Sequence, residues 1–80
     1  MNREEIFDKV KKIFIDVFDD EDIEITYSTD SSDIEEWDSL KHVILVGVIE
    51  DEFNIKFAME SLTGMKNVSA MIDKIQELIK

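Results

Sequence analysis

The unbroken apolar run Val43-Ile44-Leu45-Val46-Gly47-Val48-Ile49 constrains this chain more than any other feature. Such a run has to be buried or covered. Its β-branched residues suit a strand, and periodicity alone permits one that is buried on both faces. A strand needs partners, however, and the only other β-like pattern is the alternation Ile23, Ile25, Tyr27, set within an acidic stretch. As a helix the run is apolar nearly all round, which fits the central helix of a bundle or one that offers apolar surface to a partner. Helix is the favoured reading, starting at Ser39 and stopping near Phe53-Asn54.

The flanking patterns agree with a helical neighbourhood. Ile6, Val10, Ile13, Phe14, Val17 and Phe18 recur at three- and four-residue spacing, which predicts an amphipathic helix over about 2–18. Val68, Met71, Ile72, Ile75, Leu78 and Ile79 predict another over about 67–79, with Asn67 or Ser69 as its cap. A short helix over about 58–63, closed by Gly64, fits between them. The chain has no proline and only Gly47 and Gly64, which favours continuous helices over turn-rich β architecture. The expected fold is therefore all-α, with one domain over 1–80. Loop 19–38 is far longer than the usual helix–helix connection, and such length is typically functional or disordered. Ile23, Ile25, Ile34 and Trp37 give it anchors, so it is expected to drape over the core. At 80 residues the chain buries only roughly 60% of its unfolded surface and has no room for a large catalytic cleft.

Charge and composition exclude whole classes of function. The net charge is −11, and Asp19, Asp20, Glu21, Asp22, Glu24, Asp30, Asp33, Glu35, Glu36 and Asp38 fall in one stretch without Lys or Arg. Such a surface repels nucleic acid and anionic membrane and steers the domain toward basic patches on partner proteins. It serves equally as a solvated loop that keeps the protein soluble. Without cysteine the chain has no disulfide, thiolate metal site or thiol nucleophile of its own. No apolar stretch reaches membrane-spanning length, and Met-Asn-Arg-Glu-Glu lacks the apolar core of a signal peptide. A monomeric protein of the cytoplasm, without membrane insertion, is expected.

The tetrapeptide Trp37-Asp38-Ser39-Leu40 joins the acidic loop to the apolar run. Asp38 or Ser39 caps a helix there in the plainest reading. A helix start also leaves N–H groups unpaired and carries partial positive charge, so a serine at that point suits attachment of a phosphorylated group. Ser39 and His42 are neighbours at i, i+3, but no Gly-rich turn or oxyanion donor accompanies them, which argues against a Ser-His nucleophile. No catalytic residue is assigned. Neither Asp19–Asp30 nor Asp30–Lys41 has the alternating ligands, central Gly and final Glu of an EF-hand loop, so no metal site is assigned.

The order of elements, with Asp38-Ser39-Leu40, Val43, Leu45, the triplet Glu50-Asp51-Glu52 and Phe53-Asn54-Ile55, resembles a free-standing acyl carrier protein over essentially the whole chain. The resemblance implies a four-helix bundle whose Ser39, with Asp38 and Leu40 beside it, is modified by a phosphopantetheinyl transferase using coenzyme A and Mg²⁺. Ser39 becomes a phosphodiester bearing 4′-phosphopantetheine, whose terminal thiol carries acyl groups as thioesters between acyl-loading and acyl-transfer or condensing enzymes. The chain is then a carrier and not an enzyme. The resemblance also implies partner recognition by the second helix and the residues near Ser39, here Glu35, Glu36, Trp37, Lys41, Ile44, Gly47, Glu50 and Asp51. It further implies an acyl-sheltering space, to which Val43, Phe57, Leu62 and Met65 are assigned.

The chain departs from the family pattern in four places. Ile44 and Gly47 stand where fatty-acid carriers more often have an acid and a larger residue. Trp37 replaces a common glycine, and Phe57-Ala58-Met59 replaces a Pro-Asp helix start. Ile44 and Gly47 point to a dedicated partner set and a less purely electrostatic interface. Asp38 before the serine resembles acyl and D-alanyl carriers more than the Gly-Gly-x-Ser of many peptidyl domains. An aminoacyl carrier, or an unmodified acidic interaction module, are the alternatives.

Overall fold

Among the described residues four helices form, and α1, α2 and α4 each begin at an identifiable capping residue. The structure is a computed structural model that describes residues 2–65 and 67–79, and only the backbone at 62–64. Helices α1 (Arg3–Phe18), α2 (Ser39–Phe53), α3 (Met59–Gly64) and α4 (Val68–Leu78) follow in order, with no strand among the described residues. The apolar run is thus helical. Its β-branched propensity yields to burial against a bundle, as local preferences commonly do.

At the start of α1 a capping box closes the first turn. Asn2 Oδ1 accepts from the Glu5 N–H at 2.9 Å, and the Asn2 N–H donates back to Glu5 Oε1 at 3.1 Å. Asn67 caps α4 by accepting from the Ala70 N–H at 2.7 Å. Helices α1 and α2 end on left-handed residues, Asp19 (φ 51°) and Asn54 (φ 55°). Beyond each, the next N–H reaches back five residues, Asp20 to Ile15 and Ile55 to Glu50, completing Schellman-type closures. Helix α3 runs through Gly64 and has Met65 at its C-cap, so the glycine lies inside the helix and does not close it.

Helix α1 packs against both α2 and α4. Its Ile6, Val10, Phe14 and Phe18 join Leu45, Val46 and Ile49 of α2 and Val68, Met71, Ile72 and Ile75 of α4 in one core. Burying such side chains is worth roughly 1.5–3 kcal/mol each, which offsets the ordering of a short chain.

Loop 19–38 is fastened at both ends and in its middle. Ile25 and Trp37 enter the core, and Ile23 and Ile34 pack against it. The Tyr27 ring stacks on Phe7 at 4.6 Å with the Arg3 guanidinium 5.5 Å from its centre. The carbonyls of Thr29 and Tyr27 accept from the Val68 and Ser69 N–H groups, both at 2.9 Å. The loop therefore supplies acceptors that the first turn of α4 would otherwise lack. Arg3 also pairs with Asp73, tying the start of α1 to α4.

Candidate functional site: the start of the second helix

Asp38 is the cap of α2, and Ser39 is its first helical residue. The Asp38 carboxylate accepts from the Lys41 N–H at 2.9 Å, and its carbonyl accepts from the His42 N–H at 2.8 Å. Asp38's own N–H turns back to the Glu36 carbonyl at 3.0 Å. The N–H groups of Ser39 and Leu40 are the ones left over at this helix end. Ser39 is exposed, and its hydroxyl is spared the capping work that Asp38 performs. The site therefore has an accessible oxygen nucleophile beside unpaired donors and a positive helix end, which suits a phosphodiester.

Trp37 holds this helix start down. Its ring is only 4% exposed and meets Phe14 edge to face, with centroids 5.1 Å apart at 85°. Its Nε1–H donates to His42 Nδ1 at 3.1 Å. Assigned from the sequence to both loop packing and partner contact, Trp37 packs, because a ring buried to this degree offers a partner almost no area. Sequence reasoning missed His42's part. A histidine at i+5 from a tryptophan, across a helix start, was the available signal.

Lys41 is likewise turned inward. Its Nζ donates to the Val17 carbonyl at 3.3 Å and lies 5.9 Å from the centre of the Phe18 ring, so it neutralises the C-terminal end of α1. Glu50 is half-buried, and its Oε2 accepts from the Phe57 N–H at 2.8 Å, fixing the turn after α2. Both were expected at the partner surface, and both have structural partners.

Between Ser39 and Asp51, the exposed face of α2 is apolar. Leu40 is 69% exposed, Val43 59% and Ile44 44%, with Val48 beside them. Gly47 lies in the same band, and a Cβ built there would meet nothing within 4 Å. Ile44 thus faces outward. Val43 corrects an expectation: it was assigned to an interior acyl-sheltering space and instead stands on the outer face. The reason is angular, since Leu45, Val46 and Ile49 take the inward positions and leave 40, 43, 44 and 47 on the opposite side. Phe57, assigned to that space as well, packs against the core, and Met65 is buried within it. The side chain of Leu62, assigned to the same space, lies outside the described residues. Glu35, Glu36 and Asp51 are exposed. Among the described residues no group of three His, Asp or Glu side chains is placed to hold a metal ion.

These features define a class: a small acidic helical bundle whose long loop presents a serine at a helix start for covalent attachment of a phosphorylated group. The comparisons make the class specific. A family model described as "Phosphopantetheine attachment site" matches residues 8–75. Acyl carrier protein of Petrotoga mobilis is 31% identical over 77 residues, covering 96% of this chain and 91% of that protein. Acyl carrier protein of Coprothermobacter proteolyticus is 36% identical over 76 residues, covering 95% and 93%. The solution structure of holo acyl carrier protein from Geobacter metallireducens superposes with a TM-score of 0.82 at 39% identity, covering 89% of this chain and 82% of that one. The chain belongs to the phosphopantetheine-attachment family as an acyl carrier protein, with 4′-phosphopantetheine as its covalent cofactor.

Proposed function

We propose that Ser39 is the attachment residue and that α2 is the face read by the enzymes that load and unload the arm. The observation carrying the first part is the division of labour at the helix start. Asp38 caps, so the Ser39 hydroxyl stays exposed and uncommitted. In transfer, the Ser39 oxygen bonds to the phosphorus that bears pantetheine as the bridging P–O bond of the coenzyme A pyrophosphate breaks and adenosine 3′,5′-bisphosphate leaves, and the serine proton goes to the transferase or to solvent. The bound cofactor supplies a thiol that this cysteine-free chain lacks and that carries acyl groups as thioesters. Asp38 holds the first turn while the Ser39 and Leu40 N–H groups face the new phosphodiester. A tethered arm then makes delivery intramolecular at high effective concentration.

Incubation with a promiscuous phosphopantetheinyl transferase, coenzyme A and Mg²⁺ tests this. Intact mass should rise by one phosphopantetheine on wild type and stay unchanged on Ser39→Ala. An equal gain on both sinks the assignment.

On the partner side, the outward Leu40, Val43 and Ile44, with exposed Glu35, Glu36 and Asp51 at the two ends of the band, support enzymes that present an apolar centre flanked by basic residues. This favours a dedicated set of acyl-transfer or condensing enzymes over general fatty-acid synthesis. The domain acts in the cytoplasm as a carrier without catalysis of its own.

A further inference from the structure

Trp37 and His42 stand on either side of Ser39 in sequence and meet in space. The indole Nε1–H donates to His42 Nδ1 at 3.1 Å, with the ring centroids 6.0 Å apart and the two planes within 25° of each other. Trp37 belongs to the loop and is seated on Phe14 of α1, whereas His42 belongs to the first turn of α2. The segment Asp38-Ser39-Leu40-Lys41 is thereby closed into a ring by a side-chain bond, with the Asp38–Lys41 capping bond inside it.

We propose that the Trp37–His42 pair is a positioning brace for Ser39, fixing the first turn of α2 against α1 so that the serine oxygen meets the transferase in one orientation. Helix starts fray, and this one follows a twenty-residue loop, 19–38, that has to present Ser39 repeatably. Group transfer to an oxygen is sensitive to its placement at the scale of about 1 Å. Asp38 secures the backbone of the turn, but it is exposed and its bond lies within the turn itself. The indole is buried in the core two residues before Ser39, and His42 is where the turn is bolted to it, beside the Lys41 tie to the Val17 carbonyl. Accepting at Nδ1 puts the ring proton of His42 on Nε2. Neither residue touches the transferred group; both act through Ser39.

This inference rests on Ser39 being the attachment residue, and one kinetic series separates the two. Transfer rates are measured by mass spectrometry with the transferase and coenzyme A on full-length chains shown to be folded by circular dichroism. His42→Phe keeps an aromatic ring and loses the acceptor, and Trp37→Phe keeps an aromatic in the core and loses the donor. Each should lower kcat/KM by about five-fold, the effect of losing one hydrogen bond from the productive arrangement, and the double variant should be no slower than either single. His42→Asn, whose Oδ1 takes the place of Nδ1, should restore most of the rate. Ile75→Val, in the α4 core, should lower stability and leave the rate unchanged, which a merely structural role for the pair would not distinguish from His42→Phe. Equal rates for wild type and folded His42→Phe, or slowing by Ile75→Val equal to that by His42→Phe, overturn the brace while leaving attachment at Ser39 intact. No modification of wild type overturns the attachment itself. If Trp37→Phe fails to fold, the His42 pair of variants decides alone.

Discussion

Asp38 and Ser39 share out two tasks that a helix start often gives to one residue. Because the Asp38 carboxylate caps α2, Asp38→Ala should cost about 1 kcal/mol of stability in urea denaturation while leaving the Ser39 hydroxyl in place. Asp30 illustrates a different local device. The Ser32 hydroxyl, followed by the Ser32 N–H, hydrogen-bonds its carboxylate and holds its titration below the ordinary carboxylate range. A carboxyl whose folded value is depressed adds stability that is present above the unfolded value and is lost as pH falls through the folded one. NMR titration should therefore show the Asp30 carboxyl moving up toward the ordinary range in Ser32→Ala. An unchanged midpoint would remove this source of acid sensitivity. At this scale the sequence was readable in part. Asp38-Ser39 offered two candidate caps and no means of choosing, because the choice depends on backbone angles at residue 38. Trp37 offered bulk without a partner, because the partner, His42, is set by where α2 begins.

Helix α2 shows why periodicity is a weaker guide in the middle of a bundle than at its edges. In α1 and α4 the spacing of apolar residues named the inward face directly, and Ile6, Val10, Ile72 and Ile75 are all fully buried. In α2 almost every side chain from 43 to 49 is apolar, so no phase could be read from it. The phase comes from packing: Leu45, Val46 and Ile49 meet α1, and Leu40, Val43 and Ile44 are left outside. That is why Val43 was misassigned to the interior. Gly47 sits in the same exposed band with helical backbone and open space where a Cβ would go. Neither conformation nor crowding requires glycine there, so Gly47→Ala should stabilise the helix by about 1 kcal/mol. In a domain of this size that raises Tm by roughly 4–8 °C, measurable by thermal melting.

The whole molecule is a four-helix frame carrying a net charge of −11 on a core of about fifteen side chains, an imbalance that sets its response to solution conditions. Most of the charge lies on exposed positions of the 19–38 loop and around Ser39, where salt screens it. Raising NaCl from a few millimolar to a few hundred should therefore raise Tm. Sedimentation at low salt should give a monomer despite the apolar band on α2, because two such chains repel one another. The all-α architecture, the long loop and the family were legible from sequence because they rest on spacing, loop length and the absence of proline and cysteine. The roles of Lys41 and Glu50 were not, because each is decided by a contact to a distant carbonyl or N–H that no local pattern announces. Fragmentation mass spectrometry of the transferase-treated protein tests whether this frame presents Ser39 for attachment of the arm. The arm should map to Ser39 alone; its appearance on Ser28, Ser31, Ser32, Ser61 or Ser69, or its absence from every serine, would rule that out.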